Sequence, residues 1–331
     1  MTTLHVAILG CGTVARLHAR VARRMGRRVR LSFASRSPVK AERYRAKYGG
    51  VRAFSSYADA CADPSVDAVF DCTPPSAHVA NATAAAEGGK ALVIEKPAAR
   101  SLEEFARIEE VVARRGIFAM VAENYGFKPV LGVLRRHLER GDIGTPLFVD
   151  LSRAGTSRPT GWRSDPEEMQ GGALLEGGVH WVHLLLELGG GIPTGAVAVR
   201  PTRNYPMTAP FEDALELLVT FADGTVGRLF HSWNTRSRVA GLGLSRILGT
   251  AGNIHFESNG LFALVAGRRT RLRLPGVRDL MGYRAMWRHF VDCAVNDRTP
   301  ATSLTVTRRD LGVVQAAYRS LQSGRRESIG D

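Results

Sequence analysis

A short apolar run, Leu4–Leu9, ends on Gly10-Cys-Gly12-Thr-Val-Ala15, and helical periodicity from Val14 to Met25 begins at once. This glycine pattern constrains the fold more than any other stretch of the chain. Gly10 permits a tight turn. Gly12 lets a pyrophosphate approach the backbone with no Cβ in the way, and Ala15 allows close helix–strand packing. The first-turn N–H groups, from Thr13 and Val14 onward, have no acceptor inside the helix and favour an anion along its dipole. Alone, a GxGxxA string is also what an ordinary glycine turn looks like. Lodged between a strand and a helix at the start of a βαβ pattern, it predicts a dinucleotide-binding Rossmann domain.

The rhythm that follows agrees. Strands are expected at Val29–Ala34, Asp67–Cys72, Ala91–Glu95 and Ile117–Val121, with helices between them. One of those helices is capped by Ser101, with Glu103 and Glu104 in its first turn. Alternating strands and helices of this length imply a parallel sheet covered on both faces. After about Glu123 the pattern changes. Helices are expected at Lys128–Arg140 and Ala173–Leu188, then mostly strands, with Asp223-Gly224 joining two of them as a hairpin. Two amphipathic helices, near 283–295 and 306–320, close the chain. The expected fold class is therefore α/β. Residues 1–122 form a doubly wound Rossmann domain, and residues 123–331 form an α+β domain for substrate binding and oligomerisation.

Composition narrows the function. With 331 residues, 44% hydrophobic and 23% charged, the chain can bury two ordinary cores. It has no 18-residue apolar run and no signal-peptide pattern at its start, so neither a membrane span nor export is expected. Its four cysteines, Cys11, Cys61, Cys72 and Cys293, are scattered. That fits a reducing cytoplasm and speaks against a zinc module or a disulfide framework. The net charge of +14, from 45 Lys+Arg against 31 Asp+Glu, is spread along the whole length. No nucleic-acid-binding motif accompanies it, so it reads as a solvated surface that also suits an anionic cofactor.

The tip of the second strand bears on which cofactor. An acidic residue there would hold the ribose 2′-OH of NAD. The sequence instead has Ser35-Arg36-Ser37, with Lys40 soon after. The serines can donate to a 2′-phosphate and Arg36 can pair with it. NADP is expected, with NAD possible if Arg36 is only a solvent-facing charge.

Two groups suit chemistry. Glu95-Lys96-Pro97 closes a central parallel strand at its carboxyl end, where ligands bind in open sheets. Taken alone, the triplet is a weak signal, and the default reading of Lys96 is an ordinary surface lysine. Glu176, His180 and His183 follow i, i+4, i+7 spacing and would share one helical face. A carboxylate and two imidazoles on one face suit proton transfer. The same set is compatible with a metal site or with polar groups that have no chemical role.

Several pieces occur in an order that resembles the Gfo/Idh/MocA oxidoreductases. They are Gly10-x-Gly12-x-x-Ala15, Thr73-Pro74-Pro75 with His78, Glu95-Lys96-Pro97, Glu123-Asn124-Tyr125, Gly171-Gly172 followed by His180, and the closing Phe290-Val-Asp, Thr299-Pro300 and Ala317-Tyr318. The resemblance implies a Rossmann domain followed by a domain with a large open, mostly antiparallel sheet that often forms the oligomer interface, here of a homodimer or homotetramer. It implies that Lys96 contacts the reacting hydroxyl or carbonyl, that His180 is the acid/base, and that Glu176 stands in for an aspartate. It also implies that Thr73, Pro74, His78, Glu95 and Lys96 line the cofactor cleft. Tyr125, Trp162, Arg163 and His183 would belong to the substrate pocket, and the usual substrates are sugars, cyclitols and other polyols. The chain departs from the pattern at Glu176, at Gly126 after Asn124-Tyr125, and at His183, where an aspartate is frequent.

The residues support three readings. The first is an NADP-dependent ketoreductase of a sugar-like or cyclitol-like substrate, with no metal. The second is a regulatory protein that binds the dinucleotide without catalysis, a role in which Lys96 and His180 would be dispensable. The third is a reductase of another carbonyl or imine. No nucleic-acid or membrane partner is expected.

Overall fold

The structure, a computed structural model, describes residues 3–157, 159–201, 211–235 and 243–330. The chain divides into two compact units. One is Met1–Glu123 with Tyr283–Arg308; the other is Asn124–Gly282 with Arg309–Asp331.

The first unit begins β1 (Leu4–Leu9), α1 (Thr13–Ala22), β2 (Val29–Ala34), α2 (Pro38–Tyr48), β3 (Ala53–Phe54) and α3 (Tyr57–Ala62). It continues β4 (Ala68–Asp71), α4 (His78–Glu87), β5 (Ala91–Ile94), α5 (Leu102–Arg115) and β6 (Ala119–Val121). The strands lie side by side in the order β3-β2-β1-β4-β5-β6, and every pair is parallel. All six residues of β1 are buried, as a parallel sheet covered on both faces requires. The order reverses between β1 and β4. That is the switch point where the carboxyl ends of neighbouring strands open into a crevice, and both the glycine turn and Thr73 sit there. Helix α5 is capped as its sequence suggests, with Ser101 Oγ accepting from the Glu104 N–H.

The second unit holds α6 (Pro129–Glu139), β7 (Pro146–Ala154), α7 (Pro166–Met169), α8 (Val179–Gly189), β8 (Pro193–Val199), β9 (Ala214–Phe221) and β10 (Val226–Ser232). It continues with β11 (Leu244–Gly249), β12 (Gly252–Glu257), β13 (Ala263–Ala266) and β14 (Thr270–Arg273). Among the described residues nine strands, the last of them β15 (Glu327–Ser328), make one sheet in the order β14-β13-β12-β11-β7-β10-β9-β8-β15. All its pairings are antiparallel except β7–β10. The hairpin at Asp223-Gly224 joins β9 to β10. Gly224 takes φ +89°, and Asp223 Oδ1 accepts from the Thr225 N–H at 3.0 Å.

One face of this sheet buries Val149, Leu151, Leu217, Val219, Leu229, Ile247 and Ile254. Helix α8 packs on that face. Its Leu185 comes so close to β10 that a Cβ on Gly227 would lie 3.0 Å from Leu185 Cγ. The opposite face exposes Phe148, Val199, Leu218, Leu244, Leu264 and Leu272. The chain closes with α9 (Tyr283–Asn296), α10 (Leu304–Ser323) and β15 (Glu327–Ser328). Helix α9 packs on the first unit, where Trp287 stacks on Phe70 at 4.9 Å between centroids. Among the described residues, no helix is long and apolar enough to cross a membrane.

One expectation changes. Residues 173–188 are not a single α-helix. Leu174–Gly178 form a π-helical turn that leads into α8. Gly177 and Gly178 lie in it, and a Cβ at 178 would sit 2.9 Å from Leu174 Cδ1. A wider turn alters the angular step, so simple i, i+4 spacing does not carry from Glu176 to His180.

Candidate active site

In the first unit the expected residues gather at the carboxyl ends of the strands. Gly10 has φ +85°, and a Cβ on it would lie 2.9 Å from the Cys72 carbonyl oxygen. Here glycine is required twice, by backbone conformation and by space. Gly10→Ala is expected to cost about 2–4 kcal/mol, adding a left-handed penalty to overpacking. Urea unfolding will measure it, and a loss under about 0.5 kcal/mol would mean the turn is not as tight as described.

Gly12 is the N-cap of α1. A Cβ there would meet nothing within 4 Å, so the space over it is open. Thr13 beside it is exposed and Val14 half-buried. At the tip of β2, Ser35 is buried and its Oγ accepts from the Ser37 N–H at 3.2 Å. Arg36 and Lys40 are exposed and Ser37 half-buried. No carboxylate lies between Ala34 and Ala41. Burial pushes the Cys11 thiol up to about 11, so it stays protonated and is not a nucleophile.

The β4 tip is fixed by a buried carboxylate. Asp71 Oδ1 accepts from the Thr73 N–H at 3.0 Å and from its hydroxyl at 2.7 Å. Asp71 Oδ2 accepts from Asn81 Nδ2 at 3.0 Å. Pro74 follows, half-buried. His78 is buried, with its ring nitrogens 3.0 Å from the Ala98 and Thr73 carbonyl oxygens.

At the end of β5, Glu95 is buried and Lys96 half-buried, and the Lys96–Pro97 peptide is cis. Glu95 Oε1 lies 2.5 Å from His18 Nε2, and Oε2 accepts from the Lys96 N–H at 2.9 Å. Burial pushes the Glu95 carboxyl up, but the His18 hydrogen bond, the Lys96 charge and the Lys96 N–H outweigh it. The net pKa lies below the usual carboxylate value, and the group stays an anion.

In the second unit, His180 is buried and stacks flat on Tyr125, with centroids 4.3 Å apart and planes 7° from parallel. The Lys128 ammonium lies 4.3 Å from the Tyr125 ring centroid, and Trp181 meets that ring edge-on. A buried cation against an aromatic face contributes about 2 kcal/mol, which holds Tyr125 as a rigid platform under the imidazole. Glu176 Oε1 pairs with Arg163 Nε at 3.3 Å, and Arg163 lies beside Trp162. His183 is buried, with Nδ1 2.7 Å from Asp310 Oδ2. The three residues expected on one face thus have three different partners.

Glu212 was not expected from sequence. It is buried behind the Gly171-Gly172 turn, and its Oε1 accepts from the Leu174 N–H at 2.8 Å and the Tyr318 hydroxyl at 3.2 Å. A cavity of about 570 Å³ lies elsewhere in this unit, lined by Arg140, Asp142, Arg268, Arg269 and Arg271 among others. It contains none of the expected residues. Among the described residues, no cluster of three or more His, Cys, Asp or Glu could hold a metal ion.

The first unit fits a dinucleotide. It offers open space over Gly12, the free first-turn N–H groups of α1, and polar groups at the β2 and β4 tips. Sequence reasoning missed His18, Asp71, Trp287, Lys128 and Asp310. Only Asp71 left a local signal, as an acid ending an apolar strand.

The chain is similar to known proteins. Residues 4–123 match the family model described as "Oxidoreductase family, NAD-binding Rossmann fold", and residues 133–255 match that of the GFO/IDH/MocA C-terminal domain. The chain is 27% identical to scyllo-inositol 2-dehydrogenase (NAD(+)) of Bacillus subtilis over 277 residues, covering 79% of this chain and 77% of that protein. It is 26% identical to levoglucosan dehydrogenase of Pseudarthrobacter phenanthrenivorans over 292 residues, covering 78% and 74%. In fold it is similar to a levoglucosan dehydrogenase solved with NADH and L-sorbose, with TM-score 0.91, 22% identity and full coverage of both chains.

Proposed function

The chain belongs to the Gfo/Idh/MocA oxidoreductases, and from that premise we propose an NADP-dependent enzyme that interconverts a hydroxyl and a carbonyl on a sugar-like or cyclitol-like substrate. We assign it the reductive direction, as a ketoreductase. The observation that carries the cofactor assignment is the β2 tip, where Ser35, Arg36, Ser37 and Lys40 stand with no carboxylate among them. Relatives named for inositol and levoglucosan support the substrate class.

Gly10, Gly12, Thr13 and Val14 would hold the pyrophosphate, the β2 tip the 2′-phosphate, and Thr73, Pro74 and His78 the nicotinamide end. The nicotinamide, when bound, supplies or takes up the hydride. The chain's own residues handle the oxygen. Lys96 stabilises the developing alkoxide with its ammonium and orients it. His180 delivers the proton, held at a fixed angle by Tyr125. Glu176, with Arg163 and Trp162, would orient the substrate, and His183 would act from behind through Asp310. The exposed apolar residues of the nine-stranded sheet suit contact between copies, as a homodimer or homotetramer. The four free thiols fit the cytoplasm.

Titration with NADPH and NADH, followed by nicotinamide fluorescence, tests the cofactor. One charge-assisted contact contributes about 1.5–3 kcal/mol, so NADPH should bind at least about tenfold more tightly. Arg36→Ala should remove most of that preference. Equal or tighter binding of NADH would overturn the assignment. Turnover of keto-sugars, inositols and levoglucosan in both directions then tests substrate and direction.

A further inference from the structure

We propose that Trp287, His18 and Glu95 form a positioning relay that fixes the Lys96 turn through one obligatory arrangement of protons. The inference rests on Lys96 being the group that acts at the reacting oxygen. An indole N–H only donates. Trp287 Nε1 lies 3.0 Å from His18 Nδ1, so Nδ1 accepts and the ring proton sits on Nε2. Nε2 therefore donates to Glu95 Oε1, 2.5 Å away. Glu95 Oε2 accepts from the Lys96 N–H. The relay is dry, since His18 and Trp287 are 0% exposed and Glu95 only 6%. Both rings also rest on Phe70, at 4.3 Å and 4.9 Å between centroids, which opposes rotation of the imidazole.

The arrangement explains why a carboxylate stands at position 95. That side chain must accept at both oxygens. An amide has one acceptor and one donor, so in either orientation its NH₂ group meets an N–H, from His18 or from Lys96. His18 cannot relieve the conflict by moving its proton to Nδ1, because the Trp287 indole already points there. Without the indole N–H it can. In a chain carrying both Glu95→Gln and Trp287→Phe, the His18 proton is free to sit on Nδ1, and Nε2 accepts from the new amide. Two buried substitutions that would ordinarily add their damage should here partly cancel.

Three measurements test this. Nitrogen-15 NMR of the unmodified protein should show His18 as the Nε2–H tautomer; a proton on Nδ1 would overturn the relay, and this readout needs no variant to fold. In thermal unfolding, the double variant should melt at least about 3 °C above the sum of the two single losses. In turnover, Glu95→Gln should lose about tenfold or more in kcat with little change in cofactor Kd, and the double variant should recover at least about fivefold. Additive losses in both melting and turnover would overturn the relay. Retained turnover in Lys96→Ala, with tautomer and melting as stated, would overturn the assigned role of Lys96 and leave the relay standing.

Discussion

Lys96→Ala and His180→Ala should each lower kcat by about 10²–10⁴-fold while cofactor Kd changes by no more than about threefold. The size follows from what each group supplies. A positioned cation at a developing oxyanion contributes about 10²–10³ in rate, and general acid catalysis about 10²–10⁴. Neither group belongs to the phosphate-binding turn, so cofactor affinity should survive. Because the proposed mechanism assigns both to one oxygen, the double variant should be little worse than the poorer single one. Lys96→Arg should recover little, since a planar guanidinium does not replace a compact ammonium. Stopped assays of each purified variant, with fluorescence titration in parallel, would decide it. Near-normal turnover in either single variant would remove that residue from the mechanism.

The second large effect is on stability, and it comes from Glu212. Burial pushes its carboxyl up to about 7, against hydrogen bonds from the Leu174 N–H, its own N–H and the Tyr318 hydroxyl and a weaker attraction from Arg200. Tyr318, itself raised by burial and then by Glu212, remains a phenol across the working range. A carboxyl that holds its proton more tightly folded than unfolded stabilises the fold fully below about pH 4.5. That contribution is lost as pH rises through 7. A rise of about 2.5 units corresponds to about 3 kcal/mol by pH 8. Glu212→Gln keeps an oxygen for Leu174 and Tyr318 but cannot ionise. The stability of the variant minus that of the parent should therefore climb by about 2.5 kcal/mol between pH 5 and pH 8. Denaturant unfolding at both pH values measures it, and parallel curves would show that Glu212 does not titrate in this window. The strain falls at the start of the π-helical turn, so activity near pH 8 should become more sensitive to temperature than activity near pH 6.

How much of this could be read beforehand depends on distance along the chain. The strand, glycine turn and helix at Leu4–Ala22 were legible because each residue acts on its neighbours. The Asp223-Gly224 hairpin and the Ser101 cap were legible for the same reason. Within the candidate site, the placement of a residue at a strand tip was legible, as at Ser35, Thr73 and Lys96. It was not legible where a partner comes from far away. Trp287 reaches His18 across 269 positions, and Asp310 reaches His183 across 127. The π-helical turn also escaped, because apolar periodicity in Ala173–Leu188 reads the same whether the first turn is wide or narrow. That one turn separates Glu176 from the angular register assumed for it. Lys128 escaped because a lysine before a helix is ordinarily solvated, and only the folded Tyr125 and Trp181 rings give it a buried place.

The return of residues 283–308 to the first unit sets a schedule for biogenesis. A ribosome releases the six strands of that sheet early, yet Phe70 and His18 gain their Trp287 cover only after the whole intervening unit has emerged. Until then the nascent sheet carries an uncovered aromatic patch beside its own ligand turn. The two halves therefore cannot mature strictly one after the other, and a chain interrupted before residue 283 leaves its nucleotide half unfinished as well as its other half cut short.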